Sequence, residues 1–232
     1  MILKAALSRL RVGRKPEPKP KTKPFADGLG EGNLFRDEGA VLVKGALSVP
    51  TGSGNVVIIG KGSRFSGKIT IRGSNNKVLI GENCDFRGEI LVKGKSQTVS
   101  FGDNSTTVGA YILCQENCDV HIGKWCMFSR DIEIRTTDAH SVIDRATGMR
   151  LNHPAPVTIG DHVWVGVGAI INKGSIVPSD SIVGAMSFVN GSFDEAGVIL
   201  AGTPAKVVKR GITWHRSRKA EFSSEEMEHW KG

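Results

Sequence analysis

The chain is poor in aromatic side chains. Phenylalanine, tryptophan and tyrosine make up 6% of its 232 residues, and there is a single tyrosine. A wide sandwich or helix-bundle core normally needs more large side chains than this. Glycine, by contrast, occurs 29 times, and it supplies the turns that closely spaced short strands require. Together the two counts favour a narrow solenoid filled by Ile, Val and Leu.

Long apolar runs are also missing, because no stretch approaches the roughly 18 residues needed to cross a bilayer. The first residues, MILKAALSRLR, are interrupted by basic side chains, and no small-residue cleavage site follows them. We therefore expect a cytoplasmic protein, with a position at the inner face of the membrane as the alternative.

Acidic charge is scarce in one segment only. The net charge is +8, and residues 1–24 hold eight basic residues and one acid, which leaves +1 for all other residues. Nucleic-acid binding by the body of the protein is therefore not expected. Residues 1–12 have the pattern of a short basic amphipathic helix, and a Pro/Lys linker follows (Arg14 to Pro24). Two interpretations stay open: weak contact with a membrane surface or a partner, and a solvated arm.

The stretch from Ile159 to Asn190 repeats every six residues, as IGDHVW, VGVGAI, INKGSI, VPSDSI, VGAMSF and VN. Neither the helical period of 3.6 nor the strand period of 2 predicts this spacing. One inward aliphatic residue per short strand is typical of a β-solenoid with stacked coils. The aliphatic positions are Ile159, Val165, Ile171, Val177, Val183 and Val189. The small or β-branched residues four positions later are Val163, Ala169, Ser175, Ser181 and Ser187.

A second period, of 21 residues, precedes the hexads. The three residues beyond three hexads fit the turns GSN (Gly73 to Asn75) and GKS (Gly94 to Ser96). The sequence therefore predicts four coils with a bulged corner, followed by about two coils of 18 residues. The repeating columns are Ile59, Ile80, Phe101 and Ile122; Phe65, Phe86, Thr107 and Phe128; and Ile71, Val92, Leu113 and Ile134.

The four cysteines fit this repeat as structural residues. Cys114 and Cys118 form a C-x3-C pair without a second pair, so neither a zinc site nor any other metal site is expected. The other two alternate with serine in one column and are expected as small core residues: Ser63, Cys84, Ser105 and Cys126.

The repeat is interrupted between Ile134 and Pro156. The intervening RTTDAHSVIDRATGMRLNHPAP is too long for a corner and too polar for a coil. A loop of this length in a repeat protein is usually functional, and this one holds His140 and His153.

Three segments are predicted from these boundaries. They are a basic arm and linker over 1–33, the solenoid over 34–205 with an extruded loop over 135–156, and a basic C-terminal segment with a capping helix over 206–232. A capping box, Ser223 with Glu226, predicts that helix.

These motifs together resemble the hexapeptide-repeat acyltransferases, over about residues 55–210. The motifs are the hexads, TTDAH (Thr136 to His140), IGDHVWVG (Ile159 to Gly166) and AGTPAKVV (Ala201 to Val208). Within that family, the similarity is greatest to capsular polysaccharide O-acetyltransferases of the polysialic acid type. The shared features there include EIRTTDAH (Glu133 to His140), TGMRLNH (Thr147 to His153) and GITW (Gly211 to Trp214).

The resemblance implies an all-β, left-handed parallel β-helix that forms a homotrimer and uses acetyl-CoA as co-substrate. It implies direct transfer of an acetyl group to a sugar hydroxyl of a bacterial-type surface or capsular polysaccharide. It also places the catalytic histidine at His140 and a substrate-holding tryptophan at Trp164.

The chemistry of acetyl transfer agrees with these residues. A sugar hydroxyl is too weak an acid to ionise at neutral pH, and an imidazole, with an ordinary pKa near 6.5, suits the general base that takes its proton. Asp138 lies two residues before His140, so in an extended segment both side chains point the same way and the carboxylate can orient the ring. Trp164 is expected to face outward, towards another subunit or the active site. Asn152 and His153 are candidate acceptor contacts or ordinary turn residues.

A donor site is predicted from small and basic residues. Small residues leave the backbone accessible, as binding of a pantetheine chain in a groove requires. Tight corners of a solenoid need the same small residues, so this alternative stays open. Basic residues can neutralise coenzyme A phosphates, or they form a solvated tail. The small candidates are Gly166, Gly168, Ala169, Gly184 and Ala185, and the basic ones are Lys206, Lys209 and Arg210.

Three other functions have sequence requirements of their own. A γ-type carbonic anhydrase needs His-x4-His and a third histidine, and the histidine spacings here do not provide that pattern. A non-catalytic scaffold needs no histidine-bearing loop beside an exposed tryptophan. N-acetylation of a nucleotide-linked amino sugar is the alternative among enzymes, and such enzymes often carry an N-terminal nucleotide-binding domain.

Overall fold

The computed structural model describes residues 24–231, so the predicted arm helix over 1–12 and most of the linker lie outside the described residues. Its strands are β1 (Leu34–Asp37), β2 (Leu42–Thr51), β3 (Val56–Ile59), β4 (Arg64–Ser74), β5 (Lys77–Ile80), β6 (Asp85–Lys95), β7 (Thr98–Phe101), β8 (Thr106–Thr107), β9 (Ala110–Gln115), β10 (Val120–Ile122), β11 (Met127–Phe128), β12 (Ile132–Arg135), β13 (Val157–Ile159), β14 (Trp164–Val165), β15 (Ile170–Ile171), β16 (Ile176–Val177), β17 (Ile182–Val183), β18 (Phe188–Val189), β19 (Val198–Gly202) and β20 (Ala205–Arg210). A helix, α1 (Ser224–Met227), and a 3₁₀ helix (His229–Lys231) follow.

The strands stack in parallel into a solenoid with three faces. The first face is β1, β3, β5, β7, β10, β13 and β16. The second contains β8, β11, β14, β17 and β19, and the third contains β9, β12, β15 and β18. The long strands β2, β4 and β6 cover the second and third faces of the early coils, because β6 pairs with both β8 and β9. The expected left-handed parallel β-helix is confirmed.

Stacked glycines turn the corner within the long strands. Gly45 pairs with Gly67, and Gly67 pairs with Gly88. A Cβ on Gly45 would lie 1.7 Å from the carbonyl oxygen of Gly67, and one on Gly67 would lie 1.9 Å from that of Gly88. The early coils therefore pack backbone on backbone at this corner, which only glycine permits.

The bore of the solenoid is filled as the hexads predict. Every aliphatic position of the hexads, from Ile159 to Val189, is buried. The 21-residue columns also hold, since Ile59 pairs with Ile80 and Phe65 pairs with Phe86. The rings of Phe65 and Phe86 stack with their centroids 5.3 Å apart.

One predicted column is wrong by one residue. Val92 pairs with Cys114 rather than Leu113, and Ile134 pairs with Ile112. On the third face β6 and β9 pair at a spacing of 22 residues, whereas on the second face Asp85 pairs with Thr106 at 21. One extra residue lies at the corner between β8 and β9. A second lies at the corner between β11 and β12, because Ala110 pairs with Ile132 at 22 residues while Thr106 pairs with Met127 at 21.

The cysteines are free and structural. Cys84, Cys114 and Cys126 are buried, and Cys118 is partly buried. Burial raises the pKa of Cys84 to about 11 and those of Cys114 and Cys126 to about 12. The Ser/Cys column is also a polar ladder, because Ser63 Oγ accepts a hydrogen bond from the backbone N–H of Cys84 at 2.9 Å.

The C-terminal segment does not cap the end of the solenoid. The capping box at Ser223 is present, as predicted. The last coil is instead closed by Phe193, Ala205 and Val207, which pack against the core. The segment runs along the corner between the first and second faces, where Arg216 donates hydrogen bonds to Thr106 Oγ1 and the Cys126 carbonyl. None of the helices in the described part of the chain is long and apolar enough to span a membrane.

Candidate active site

The extruded loop leaves the solenoid from a fixed base. Thr136, the residue after β12, is buried, and its hydroxyl both donates to the carbonyl of Gln115 and accepts from the N–H of that residue. The Ala155 N–H donates to the Thr136 carbonyl at 3.0 Å and closes the loop. The loop therefore begins and ends at one corner, between the third and first faces.

His140 is held by its backbone while its side chain stays exposed. Asn152 Nδ2 donates to the His140 carbonyl at 2.8 Å, and Asn152 Oδ1 accepts from the Val142 N–H at 2.7 Å. These two bonds fix the chain on both sides of Ser141. The imidazole is thus presented to solvent from a constrained backbone, as a base acting on an external substrate requires.

The expected geometry between Asp138 and His140 is not present. Ala139 has a φ of 65°, so the segment is not extended and the alternation rule does not apply. The Asp138 carboxylate instead accepts hydrogen bonds from Lys173 Nζ at 2.6 Å and Asn152 Nδ2 at 2.8 Å. The Lys173 hydrogen bond lowers the pKa of Asp138 below its ordinary value. Asp138 therefore contacts residues that support the loop rather than the ring of His140.

A second ion pair ties the loop to the preceding coil. Arg150 Nη1 and Nη2 bind the two carboxylate oxygens of Glu116 at 2.6 and 3.2 Å. The Thr137 hydroxyl donates to the same carboxylate. The Arg150 hydrogen bond is the main cause that lowers the pKa of Glu116.

The two predicted acceptor contacts differ in what they can do. The His153 side chain is exposed at the end of the loop. Asn152 already uses both amide hydrogens and its oxygen inside the loop. The Asn152 side chain therefore holds the loop, and its contact with the acceptor stays a prediction.

Trp164 faces outward from the second face, as predicted, with 39% of its surface exposed. It lies at the edge of an apolar groove with a volume of about 340 Å³. Three of the five small donor-site candidates line this groove. Its lining residues are Ser129, Trp164, Gly166, Val167, Ile182, Val183, Gly184 and Ala185.

The remaining donor-site candidates lie elsewhere. Ala169 is fully buried in the core, so its assignment to the groove is corrected. Gly168 forms the next turn and does not line the groove. Lys206 and Lys209 are exposed on β20, opposite Ala201 and Ile199 of β19, the strand that pairs with β17 of the groove. Arg210 is bound to Glu195 at 2.7 Å.

The C-terminal segment adds an aromatic cluster that the sequence reasoning missed. Trp214 lies 6.1 Å from Trp164, centroid to centroid. His162 is buried and stacked between Trp214 and Trp230, and its Nδ1 is hydrogen-bonded to Asp180 Oδ1 at 2.8 Å. Burial lowers the pKa of His162, and Asp180 opposes that shift. The GITW motif was a usable signal, but its partner was not visible because 52 residues separate Trp214 from His162.

The site residues therefore fall into two groups on one chain. His140 and its supports lie at the corner between the third and first faces, and the Trp164 groove lies at the corner between the second and third. The third face separates the two groups by roughly 20 Å, which is the length of an extended strand from Arg130 to Thr136. Among the described residues, no three His, Cys, Asp or Glu side chains are arranged to hold a metal ion.

The chain is similar in sequence and fold to known O-acetyltransferases. A polysialic acid O-acetyltransferase of Escherichia coli O1:K1 / APEC is 34% identical over 122 residues, or 52% of this chain and 39% of that protein. One of Neisseria meningitidis is 34% identical over 112 residues, or 48% of this chain and 52% of that protein. The crystal structure of the polysialic acid O-acetyltransferase OatWY matches with a TM-score of 0.69 at 27% identity, over 84% of this chain and 89% of that one. The resemblance inferred from the motifs is confirmed.

No family model matches the chain. The chain spans about half or less of the length of the two curated relatives, 52% and 39%.

Proposed function

We propose that the protein is an acetyl-CoA-dependent O-acetyltransferase that acetylates a sugar hydroxyl of a surface or capsular polysaccharide. The observation that carries the proposal is the likeness to OatWY over 84% of this chain and 89% of that one. Polysialic acid is the acceptor named for that protein and for both curated relatives, and it is the first acceptor to test here.

In the proposed reaction His140 is the general base. Its imidazole takes the proton of the sugar hydroxyl as the oxygen attacks the thioester carbonyl. The tetrahedral intermediate collapses, the C–S bond breaks, and the imidazolium returns its proton to the leaving thiolate of coenzyme A. The products are the O-acetyl ester and the free thiol.

The groove beside Trp164 is the proposed donor site. Its apolar lining and bare backbone at Gly166 suit a pantetheine chain, which is narrow and weakly polar. A Cβ at Gly166 would lie 2.6 Å from the Ala185 nitrogen, so glycine is required there. Lys206 and Lys209, on the hairpin that continues this face, are proposed to neutralise the phosphates.

A homotrimer is proposed because it can bring the two groups of residues together. The third face separates His140 from Trp164 on one chain, so a complete site draws each group from a different copy. Mixing inactive His140→Ala with inactive Trp164→Ala protein, after unfolding and refolding together, should restore about a quarter of wild-type activity for a shared site. No recovery would contradict shared sites.

The acceptor chemistry is tested with acetyl-CoA, thiol detection and two acceptors. With polysialic acid, the reaction should release coenzyme A. The polysaccharide should gain acetyl groups that mild alkali removes, because they are esters. A nucleotide-linked amino sugar should give no alkali-stable amide. The opposite result would favour the N-acetyltransferase alternative.

A further inference from the structure

The base of the His140 loop lies between two turns of the same corner. The turn with Glu116 belongs to the coil before the loop, and the turn with Lys173 belongs to the coil after it. The N–H of Gly174, beside Lys173, donates to the Pro156 carbonyl at 3.0 Å and so holds the end of the loop. Each neighbouring turn supplies one charged side chain that reaches into the loop.

Of these two charged side chains, Lys173 contacts the loop residue closer in sequence to His140. Its Nζ lies 2.6 Å from Asp138 Oδ2, and its side chain is only 16% exposed. The same Asp138 oxygen accepts from Asn152 Nδ2 at 2.8 Å. Asn152 Nδ2 also donates to the carbonyl of His140 itself. A continuous chain of hydrogen bonds therefore joins Lys173, which lies in the six-residue repeat, to the backbone of His140.

The loop is held by two ion pairs of opposite charge. Lys173 and Arg150 carry positive charge, Asp138 and Glu116 carry negative charge, and each cation binds one carboxylate. Asp138 engages Lys173 and Asn152 together, so removing the ammonium leaves Asn152 as the sole remaining donor to that oxygen. The left-handed turn at Ala139, with a φ of 65°, then keeps the hydrogen bond from its own N–H to Thr137 Oγ1 but loses the anchor of Asp138 to the neighbouring coil.

We propose that Lys173 is a positioning residue for His140, acting through Asp138 and Asn152 to fix the imidazole relative to the substrates. This inference rests on the proposed function, because it takes His140 to be the general base. Within the described part of the chain, Lys173 is hydrogen-bonded to Asp138 and does not line the groove beside Trp164. Its effect is therefore expected in the rate of the chemical step and not in donor binding.

The test compares Lys173→Met with Lys124→Met. Lys124 is the control because it also pairs with a carboxylate of another coil, Asp103 at 3.5 Å, but is more exposed and lies at a corner without the loop. Lys173→Met should lower kcat by about 10- to 100-fold, as expected for a misplaced catalytic group. The KM for acetyl-CoA should stay within about twofold, because donor binding is not involved. Lys124→Met should change neither, and Lys173→Arg should recover part of kcat.

A double variant separates positioning from direct contact. If Lys173 acts through Asp138, the variant Asp138→Asn with Lys173→Met should be no slower than the slower single variant. Losses that multiply would overturn the proposal. So would an unchanged kcat in Lys173→Met, or a change confined to the KM of the polysaccharide, which would indicate that Lys173 binds the acceptor itself.

Hydrogen exchange keeps this inference separate from the proposed function. Amides of residues 137–154 should exchange faster in Lys173→Met than in wild type, and not in Lys124→Met. If the wild-type protein transfers no acetyl group, the proposed function fails, and exchange alone decides whether Lys173 holds the loop. Equal exchange in the two variants would overturn the positioning role.

Discussion

The imidazole of His162 stacks on the indole of Trp214 at a centroid distance of 4.3 Å and an angle of 8°. The Trp214 N–H also donates to the His162 carbonyl at 2.8 Å. This pair fixes the C-terminal segment against the solenoid, next to Trp164. Trp164, which lines the proposed donor groove, thus has the C-terminal Trp214 as a neighbour at 6.1 Å.

Acidification should loosen this contact. Because the pKa of His162 is lower in the folded protein than in the unfolded chain, its contribution to stability is complete above about pH 6.5 and is lost as the pH falls towards the folded value. The slope is at most about 1.4 kcal/mol per pH unit for one group. Urea unfolding between pH 8 and 5, followed by tryptophan fluorescence, measures it.

His162→Gln removes the titrating group and should flatten this pH dependence, at a lower stability at pH 8. His153→Gln is the control for the loss of one histidine, because His153 is exposed on the loop and is not part of the stacked His162 cluster. An unaltered slope in His162→Gln would rule out His162 as the source.

The core contains a threonine whose replacement should stabilise the protein. Thr107 is buried, and its Oγ1 has no hydrogen-bond partner among the described residues. Thr107→Val keeps the shape and removes the unsatisfied hydroxyl, so the free energy of unfolding should rise by about 1–2 kcal/mol. Thr136 is the matched control, since its buried hydroxyl is fully bonded. Thr136→Val should lower the free energy of unfolding by about 1–3 kcal/mol. Equal effects of the two variants would contradict this distinction.

The proposed donor groove is tested by a charge at Ala185. This exposed residue lines the groove, whereas its neighbour Met186, 72% exposed, does not. Ala185→Glu should raise the KM for acetyl-CoA by about tenfold or more, because bound donor would cover the carboxylate with an apolar chain and its phosphates would be repelled by the negative charge. Met186→Glu should raise it by less than about twofold. Initial rates at varied acetyl-CoA, with melting temperatures as a folding control, decide between them; equal KM values would place the donor elsewhere.

Periodicity was sufficient to predict the coils, because inward-facing residues recur at a fixed spacing and stack on one another in successive coils. The Ser63 to Cys126 column and the break before Ile159 both follow from that rule. The register error at Leu113 arose because one added residue at a corner shifts a single face without disturbing the others.

The loop was predictable as a feature but not in its geometry. The sequence located His140, yet the expected alignment with Asp138 assumed an extended backbone, and the turn at Ala139 depends on contacts to other coils. Lys173 reads as an ordinary turn residue of the hexad INKGSI. Its pairing with Asp138, 35 residues away, becomes visible only when the two turns are stacked at one corner.

The most direct test of the proposed activity is the rate of acetyl transfer by His140→Ala, measured with acetyl-CoA and polysialic acid beside wild type and His153→Ala. With an unchanged oligomeric state and melting temperature, His140→Ala should lose about 10²- to 10⁴-fold in kcat, while His153→Ala keeps a rate nearer that of wild type. A His140→Ala rate within about threefold of wild type would contradict the assignment of His140 as the general base.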